Sequence, residues 1–199
     1  RDKFLKVGNP RLHLWKNSYY GFYDKLADDI KKELGEFVLI PSNFAIYTNS
    51  RKAKEMISLT GYLDQKKNKQ LYEENYKVVE FLFKKFVKAA KEISLKGIKV
   101  VFRTHPNESI SKIQEHFSGY DNIIVRSDHD IAPWILASKA VIHNCCTTGL
   151  EAAFMKKNTI AYTPNSVSQY KLNNVDKIAK VALNLDELLE GILTPAVFH

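Results

Sequence analysis

The chain has 199 residues, a formal charge of +8, 45% hydrophobic and 12% aromatic residues, a composition that can bury one core of ordinary domain size. No apolar run approaches the ~20 residues needed to cross a bilayer, and its two cysteines, the adjacent Cys145 and Cys146, provide neither a disulfide framework nor a four-ligand metal set. The positive excess favours anionic partners such as nucleotide phosphates, nucleic acid or an acidic membrane face. The cysteine usage fits a reducing, cytoplasmic setting. The chain begins with Arg1 and has no apolar leader, so it is expected to be a fragment of a longer protein.

In chain order, Val7-Gly8-Asn9-Pro10-Arg11 reads as a turn, followed by a helix from Tyr19 to Leu34 that stops at Gly35. Phe37 to Ile40 is a short apolar strand broken by Pro41-Ser42-Asn43. Phe44 to Lys66 is polar and irregular, with one short helix expected from Arg51 to Leu59. From Lys67 to Leu95 the apolar positions Tyr72, Tyr76, Val79, Phe83, Phe86, Ala90 and Ile93 step by four and three, which predicts a long helix packed by its aromatic stripe. Its lysines, such as Lys84, Lys85 and Lys88, read as a solvated face.

A strand is then expected from Lys99 to His105, a helix from Ser109 to Phe117, a strand from Ile123 to Val125 and a helix from Ile131 to Ala137. A strand from Ala140 to His143, a helix from Gly149 to Met155, a strand from Thr159 to Tyr162 and a helix from Leu185 to Ile192 complete the series. This alternation predicts an α/β fold: a Rossmann-like parallel sheet with helices on both faces.

Two places carry candidate chemistry. Arg103-Thr104-His105-Pro106 ends an apolar strand, and because proline biases the residue before it toward extended geometry, Arg103 and His105 are expected on one side of that strand. Ligands of open parallel sheets lie at the carboxyl ends of strands, so this pair is a candidate phosphate contact. The second place is His143-Asn144-Cys145-Cys146-Thr147-Thr148-Gly149-Leu150-Glu151. Thr148 and Glu151 fit a capping box, while Thr147, Thr148 and Gly149 also offer hydroxyl and backbone N–H groups at the positive end of a helix, suited to a phosphate. The two places are expected on neighbouring strand ends.

Asn43, at the end of the first strand, either lines the same cleft or serves turn chemistry. His143 is expected to hydrogen-bond at the sheet end or line the cleft, and the loop around His129 to be capped by Asp128 or Asp130. No Gly-x-Gly-x-x-Gly or P-loop pattern occurs. His13, His116, His129 and His143 form no spaced ligand set, so no metal and no cofactor are expected.

Arg103-Thr-His-Pro106, Asp130-Ile-Ala-Pro-Trp-Ile-Leu-Ala-Ser138, Val141-Ile-His-Asn144 and Thr147-Thr-Gly-Leu-Glu-Ala152 together resemble the nucleotide-binding, C-terminal half of bacterial surface-carbohydrate biosynthesis proteins with a GT-B-type fold. The likeness runs from about Val7 to Pro164. It implies an interdomain segment over residues 1–18, a nucleotide-sugar-binding domain over 19–199 and an acceptor domain upstream. It also implies a glycosyltransferase with a nucleotide-sugar donor, a cytidine-activated sugar among the candidates, and a glycan or lipid-linked acceptor, working in the cytoplasm with peripheral contact at the inner face of the membrane. His105 would contact the donor phosphate and Thr147 and Thr148 would bind it from the helix end. Glu151 would contact a ribose hydroxyl, unless its charge faces away from the phosphates.

Similar motifs occur in CDP-glycerol polymer transferases and in bacterial transferases of sialic acid and Kdo. The polymer transferases usually carry Asp-Tyr-Ser-Ser where this chain has His143-Asn-Cys-Cys146. Nucleotide-sugar 2-epimerases, with a more glycine-rich helix start, are the second reading. A nucleic-acid-binding domain is a third, motivated by charge; the aromatics that would stack on bases lie instead on the core stripe of the long helix, so no nucleic-acid partner is expected. A catalytically inactive scaffold in an envelope-assembly complex is the last.

Overall fold

A computed structural model describes residues 21–49, 65–144, 146–164 and 178–194. The turn expected at Val7–Arg11 and the helix expected at Arg51–Leu59 lie outside the described residues. Six strands form one sheet: β1 (Val38–Pro41), β2 (Val100–Arg103), β3 (Ile123–Arg126), β4 (Ala140–His143), β5 (Asn158–Tyr162) and β6 (Lys180–Ala182). Their order is β3-β2-β1-β4-β5-β6, and every neighbouring pair is parallel. The helices are α1 (Gly21–Leu34), α2 (Ala45–Thr48), α3 (Gln65–Leu95), α4 (Ile110–Glu115), α5 (Ile131–Ala137), α6 (Thr147–Phe154) and α7 (Leu185–Leu193). The expected α/β, Rossmann-like parallel sheet is the fold observed.

Because strand side chains alternate, each strand feeds two cores. Val38, Ile40, Val100, Phe102 and Ile142 face one layer, against Phe83, Phe86 and Ile93 of α3, Ile113 of α4 and Leu188 of α7. Leu39, Val101 and Val141 face the other, against Ile30 of α1, Trp134 and Ile135 of α5, and Ala152 of α6. Burial on both faces explains why these strands read as continuous apolar runs. Gly35, at φ +72°, closes α1 by donating its N–H to the Lys31 carbonyl at 2.8 Å, a left-handed cap that favours glycine.

The crossovers after β1 and β2 run over one face and those after β3 and β4 over the other. Direction therefore reverses between β1 and β4, which hydrogen-bond side by side. At such a reversal the loops leaving the two strands part to opposite faces and open a crevice at the carboxyl edge.

Three expectations are corrected. The β2 strand stops at Arg103, because its partner β3 ends at Arg126 in register with it and Thr104 makes the last inter-strand bond, to the Arg126 carbonyl at 2.8 Å. The first and fourth strands flank the reversal, so β2 and β4 are not neighbours: β1 lies between them. The region after Phe44 begins with the one-turn helix α2, and a short sixth strand follows residue 179, with a pattern too brief to show periodicity.

Phe83 is fully buried, with its ring 5.5 Å from that of Phe44, 5.2 Å from Tyr47 and 5.0 Å from His116. Phe83→Ala should cost about 3–5 kcal/mol in urea unfolding, whereas Phe22→Ala, at a site 82% exposed, should stay within about 0.5 kcal/mol. Equal effects would contradict the assignment of α3 as the main core helix.

Candidate functional site

The carboxyl edge gathers the loops leaving β1, β2 and β4. Asn43 follows β1 and Asn144 follows β4, and the Asn144 side-chain amide donates to the Asn43 side-chain oxygen at 2.6 Å. This bond bridges the reversal point itself. On the β2 side, the Ser42 N–H donates to the Arg103 carbonyl at 2.8 Å, extending the sheet by one step.

Beyond Thr104 the chain turns. The Glu108 N–H donates to the His105 carbonyl at 2.8 Å, with Pro106 at the second position, where its fixed φ suits a β-turn. The Asn107 N–H donates to His105 Nδ1 at 3.2 Å, and the Asn49 amide donates to the Asn107 carbonyl at 2.8 Å. The His105 N–H donates to Glu108 Oε2 at 2.8 Å. His105 therefore does not continue the strand beside Arg103; its backbone is captured by the turn and it is exposed at the edge.

Glu108 was not singled out by the sequence. It is 8% exposed, and its other oxygen accepts from Ser42 Oγ at 2.8 Å and from the Phe44 N–H at 2.5 Å. Burial pushes this carboxyl above the ordinary carboxylate range, while the bonds from His105, Ser42 and Phe44 pull the other way. All three neighbours donate, so the acceptor-only carboxylate matches them.

Arg103 is 9% exposed, and its guanidinium donates through Nη2 to the His129 carbonyl. Burial lowers its pKa, against the opposing pull of Asp128, Asp130 and Glu151; a guanidinium stays charged at neutral pH regardless. Arg103 thus props the loop before α5 from within. His129 holds φ 59°, in the left-handed region, which is uncommon for a side chain other than glycine.

Neither aspartate of that loop caps α5. Asp130 occupies the cap position without a side-chain cap bond. Asp128 takes a two-pronged bond from Arg126, Nε to Oδ1 at 2.8 Å and Nη2 to Oδ2 at 3.0 Å, and that pairing holds its carboxyl below the usual range.

The capping box is also absent. Helix α6 begins at Thr147, with Cys146 in the cap position, extended at φ −90° and ψ 167° and giving no side-chain cap bond. Thr148 therefore lies inside the first turn, and Glu151, 2% exposed, is buried on the helix. Thr147 and Thr148 stand at the positive end of the helix, where the Gly149 N–H donates to the Cys146 carbonyl at 3.0 Å and the Cys146 thiol meets the Thr148 and Gly149 backbone N–H groups. Burial pushes the Cys146 thiol up, while the bonds from Thr148 and Gly149 pull the other way.

His143 is fully buried, so it supports α6 and does not line an open cleft. A Cβ on Gly149 would lie 2.4 Å from its ring. Gly149 is thus required by close approach, a reason the sequence reading did not supply. Among the described residues no cluster of three or more His, Cys, Asp or Glu could hold a metal, and no helix is long and apolar enough to cross a membrane.

No protein-family model matches the sequence, and no curated protein matches it. Among solved structures, UDP-GlcNAc 2-epimerase of Methanocaldococcus jannaschii, in complex with UDP-GlcNAc and UDP, superposes with a TM-score of 0.54 at 11% identity, over 96% of this chain and 48% of the other. A second structure of that epimerase gives 0.51 at 11% identity, over 98% and 49%. The wall teichoic acid polymerase TagF aligns over 83% of this chain and 33% of its own, at 16% identity and a TM-score of 0.46. The chain spans about half the length of the epimerase. The likeness shows the fold: a Rossmann-like α/β domain.

Gly149→Ala should destabilise the protein by about 1–3 kcal/mol, the usual cost of overpacking. In a His143→Ala background the same substitution should cost little, because the ring it meets is gone. Chemical denaturation of the four proteins of this double-mutant cycle measures the coupling; additive effects would contradict the contact.

Proposed function

We propose that this chain is the donor-nucleotide-binding domain of a glycosyltransferase acting in bacterial cell-surface polysaccharide biosynthesis. One observation carries the reading: the start of α6, the Asn43–Asn144 bridge and the exposed His105 turn follow the carboxyl ends of β4, β1 and β2, three neighbouring strands that include the point where the crossover direction reverses.

In this reading the donor pyrophosphate lies across β1. Thr147 and Thr148 bind it from the α6 end, whose first turn Gly149 closes through its bond to the Cys146 carbonyl, and His105 binds it from the β2 side. Negative charge grows on the nucleotide phosphate as the sugar departs, and preorganised donors stabilise that charge more than they stabilise the ground state. Arg103 and Glu151 are both buried; they serve from beneath the crevice, Arg103 by holding the loop before α5 and adding positive potential, Glu151 by balancing it. Asn43 orients the crevice floor through Asn144.

The acceptor, a glycan or a lipid-linked sugar, and the general base belong to a second domain, consistent with a chain that spans about half of its structural neighbour. The net charge of +8 suits a cytoplasmic protein with peripheral contact at an anionic membrane face. A second reading, a domain of a nucleotide-sugar 2-epimerase, is favoured by the two epimerase superpositions.

Calorimetric titration of CMP, CDP and UDP onto the chain tests both. His105→Ala and Thr148→Ala should each weaken nucleotide binding about tenfold, the loss of one hydrogen bond to a charged group, ~1.5 kcal/mol. Binding unchanged in both variants would remove the site. With a nucleotide sugar and the full-length protein, transfer of the sugar to an acceptor with release of the nucleotide supports the transferase, whereas inversion at C2 of the sugar without an acceptor moves the assignment to the epimerase reading.

A further inference from the structure

The turn after β2 and the turn after β1 share one buried carboxyl group. Glu108 Oε2 takes the His105 N–H at 2.8 Å, and Oε1 takes Ser42 Oγ at 2.8 Å and the Phe44 N–H at 2.5 Å. The Ser42 and Phe44 partners are 66 and 64 residues away along the chain. A carboxylate taken out of water is costly unless its lone pairs are filled, so neither turn can move without leaving this charge short of donors. Phe44 is itself anchored, its ring 5.5 Å from Phe83 and 5.4 Å from Phe86 of α3. From Ser42 the linkage continues through its neighbour Asn43 to Asn144 at the end of β4.

We propose that Glu108 is a positioning residue: its carboxylate clamps the β1 and β2 turns into one unit and thereby sets the placement of His105 relative to Asn43 and the start of α6 for a nucleoside diphosphate bridging them. The functional half rests on the nucleotide-binding reading above; the clamp itself does not. Glu108 touches no ligand in this scheme. It acts through two backbone amides, which is why its removal should change binding geometry as well as stability. Supporting groups of this kind commonly matter tenfold or more, because reacting and binding groups must be held to within about an ångström.

The test uses Glu108→Gln, which keeps the shape and places an NH2 among donors, and Ser42→Ala, which removes one donor and keeps the carboxylate should the first variant fail to fold. Amide hydrogen exchange is followed at Phe44 and His105, with Ile142 and Ile160 in β4 and β5 as internal references. The clamp predicts that protection at Phe44 and His105 falls together in either variant, while the references hold. A change confined to Phe44, or no change at either amide, overturns it.

Titration of CDP and UDP at a temperature where the variants are folded then reads the functional half. Affinity about tenfold weaker than wild type is expected, with a shift that Glu108→Asp partly reverses. Loosened turns with wild-type affinity would leave Glu108 a purely structural residue and overturn the positioning role. Wild-type protein that binds no nucleotide would instead sink the donor-domain reading, and the exchange result alone would still decide whether the two turns are coupled.

Discussion

A single buried carboxylate organises the carboxyl edge of this sheet. Glu108 joins turns that the sequence separates by more than sixty residues, and it does so where the fold itself leaves backbone groups exposed, just past the ends of two parallel strands. Parallel sheets satisfy their backbone only within the ladder; one residue beyond it, each N–H needs another partner. Here the partner of both Phe44 and His105 is the same side chain. The Asn43–Asn144 bond performs the corresponding task across the reversal point. The two together form a row of hydrogen bonds running from the β2 turn to the β4 turn over the end of β1.

Beneath that row lies an unusual amount of buried charge. Arg103, Glu108 and Glu151 are all at or below 9% exposure, and charged groups are seldom so buried unless paired or hydrogen-bonded. Arg103 has its bond to the His129 carbonyl and the nearby field of Asp128, Asp130 and Glu151. Among the described residues these three charges lie at or after the ends of β2 and β4, at the carboxyl end of the sheet, while the central strands are apolar on both faces.

Much of the scaffold was legible in the sequence because periodicity is local. The four-and-three spacing from Tyr72 to Ile93 identified α3, the apolar runs around Leu39, Val101 and Val141 identified the central strands, and Gly35 marked the end of α1. What escaped was decided by contacts distant in sequence. The expectation that His105 prolongs its strand followed the proline rule, yet strand length depended on where β3 ends, at Arg126. The order placing β1 between β2 and β4 is invisible to periodicity. The Thr148–Glu151 spacing matched a capping box, but packing of His143 against Gly149 went with a helix begun at Thr147, which draws Glu151 inward. Glu108 resembled an ordinary loop acid, since nothing local distinguishes a solvated carboxylate from one whose partners arrive from another turn.

The central claim is that the carboxyl edge over β1 receives a nucleotide diphosphate between the His105 turn and the start of α6. The most direct measurement is a backbone amide NMR titration of the chain with CDP and UDP. The account predicts saturable shifts concentrated at Asn43, His105, Thr147, Thr148 and Gly149, with the opposite edge around Gly35 and Lys139 unmoved. Saturable shifts at that opposite edge, or none anywhere at millimolar nucleotide, would contradict it.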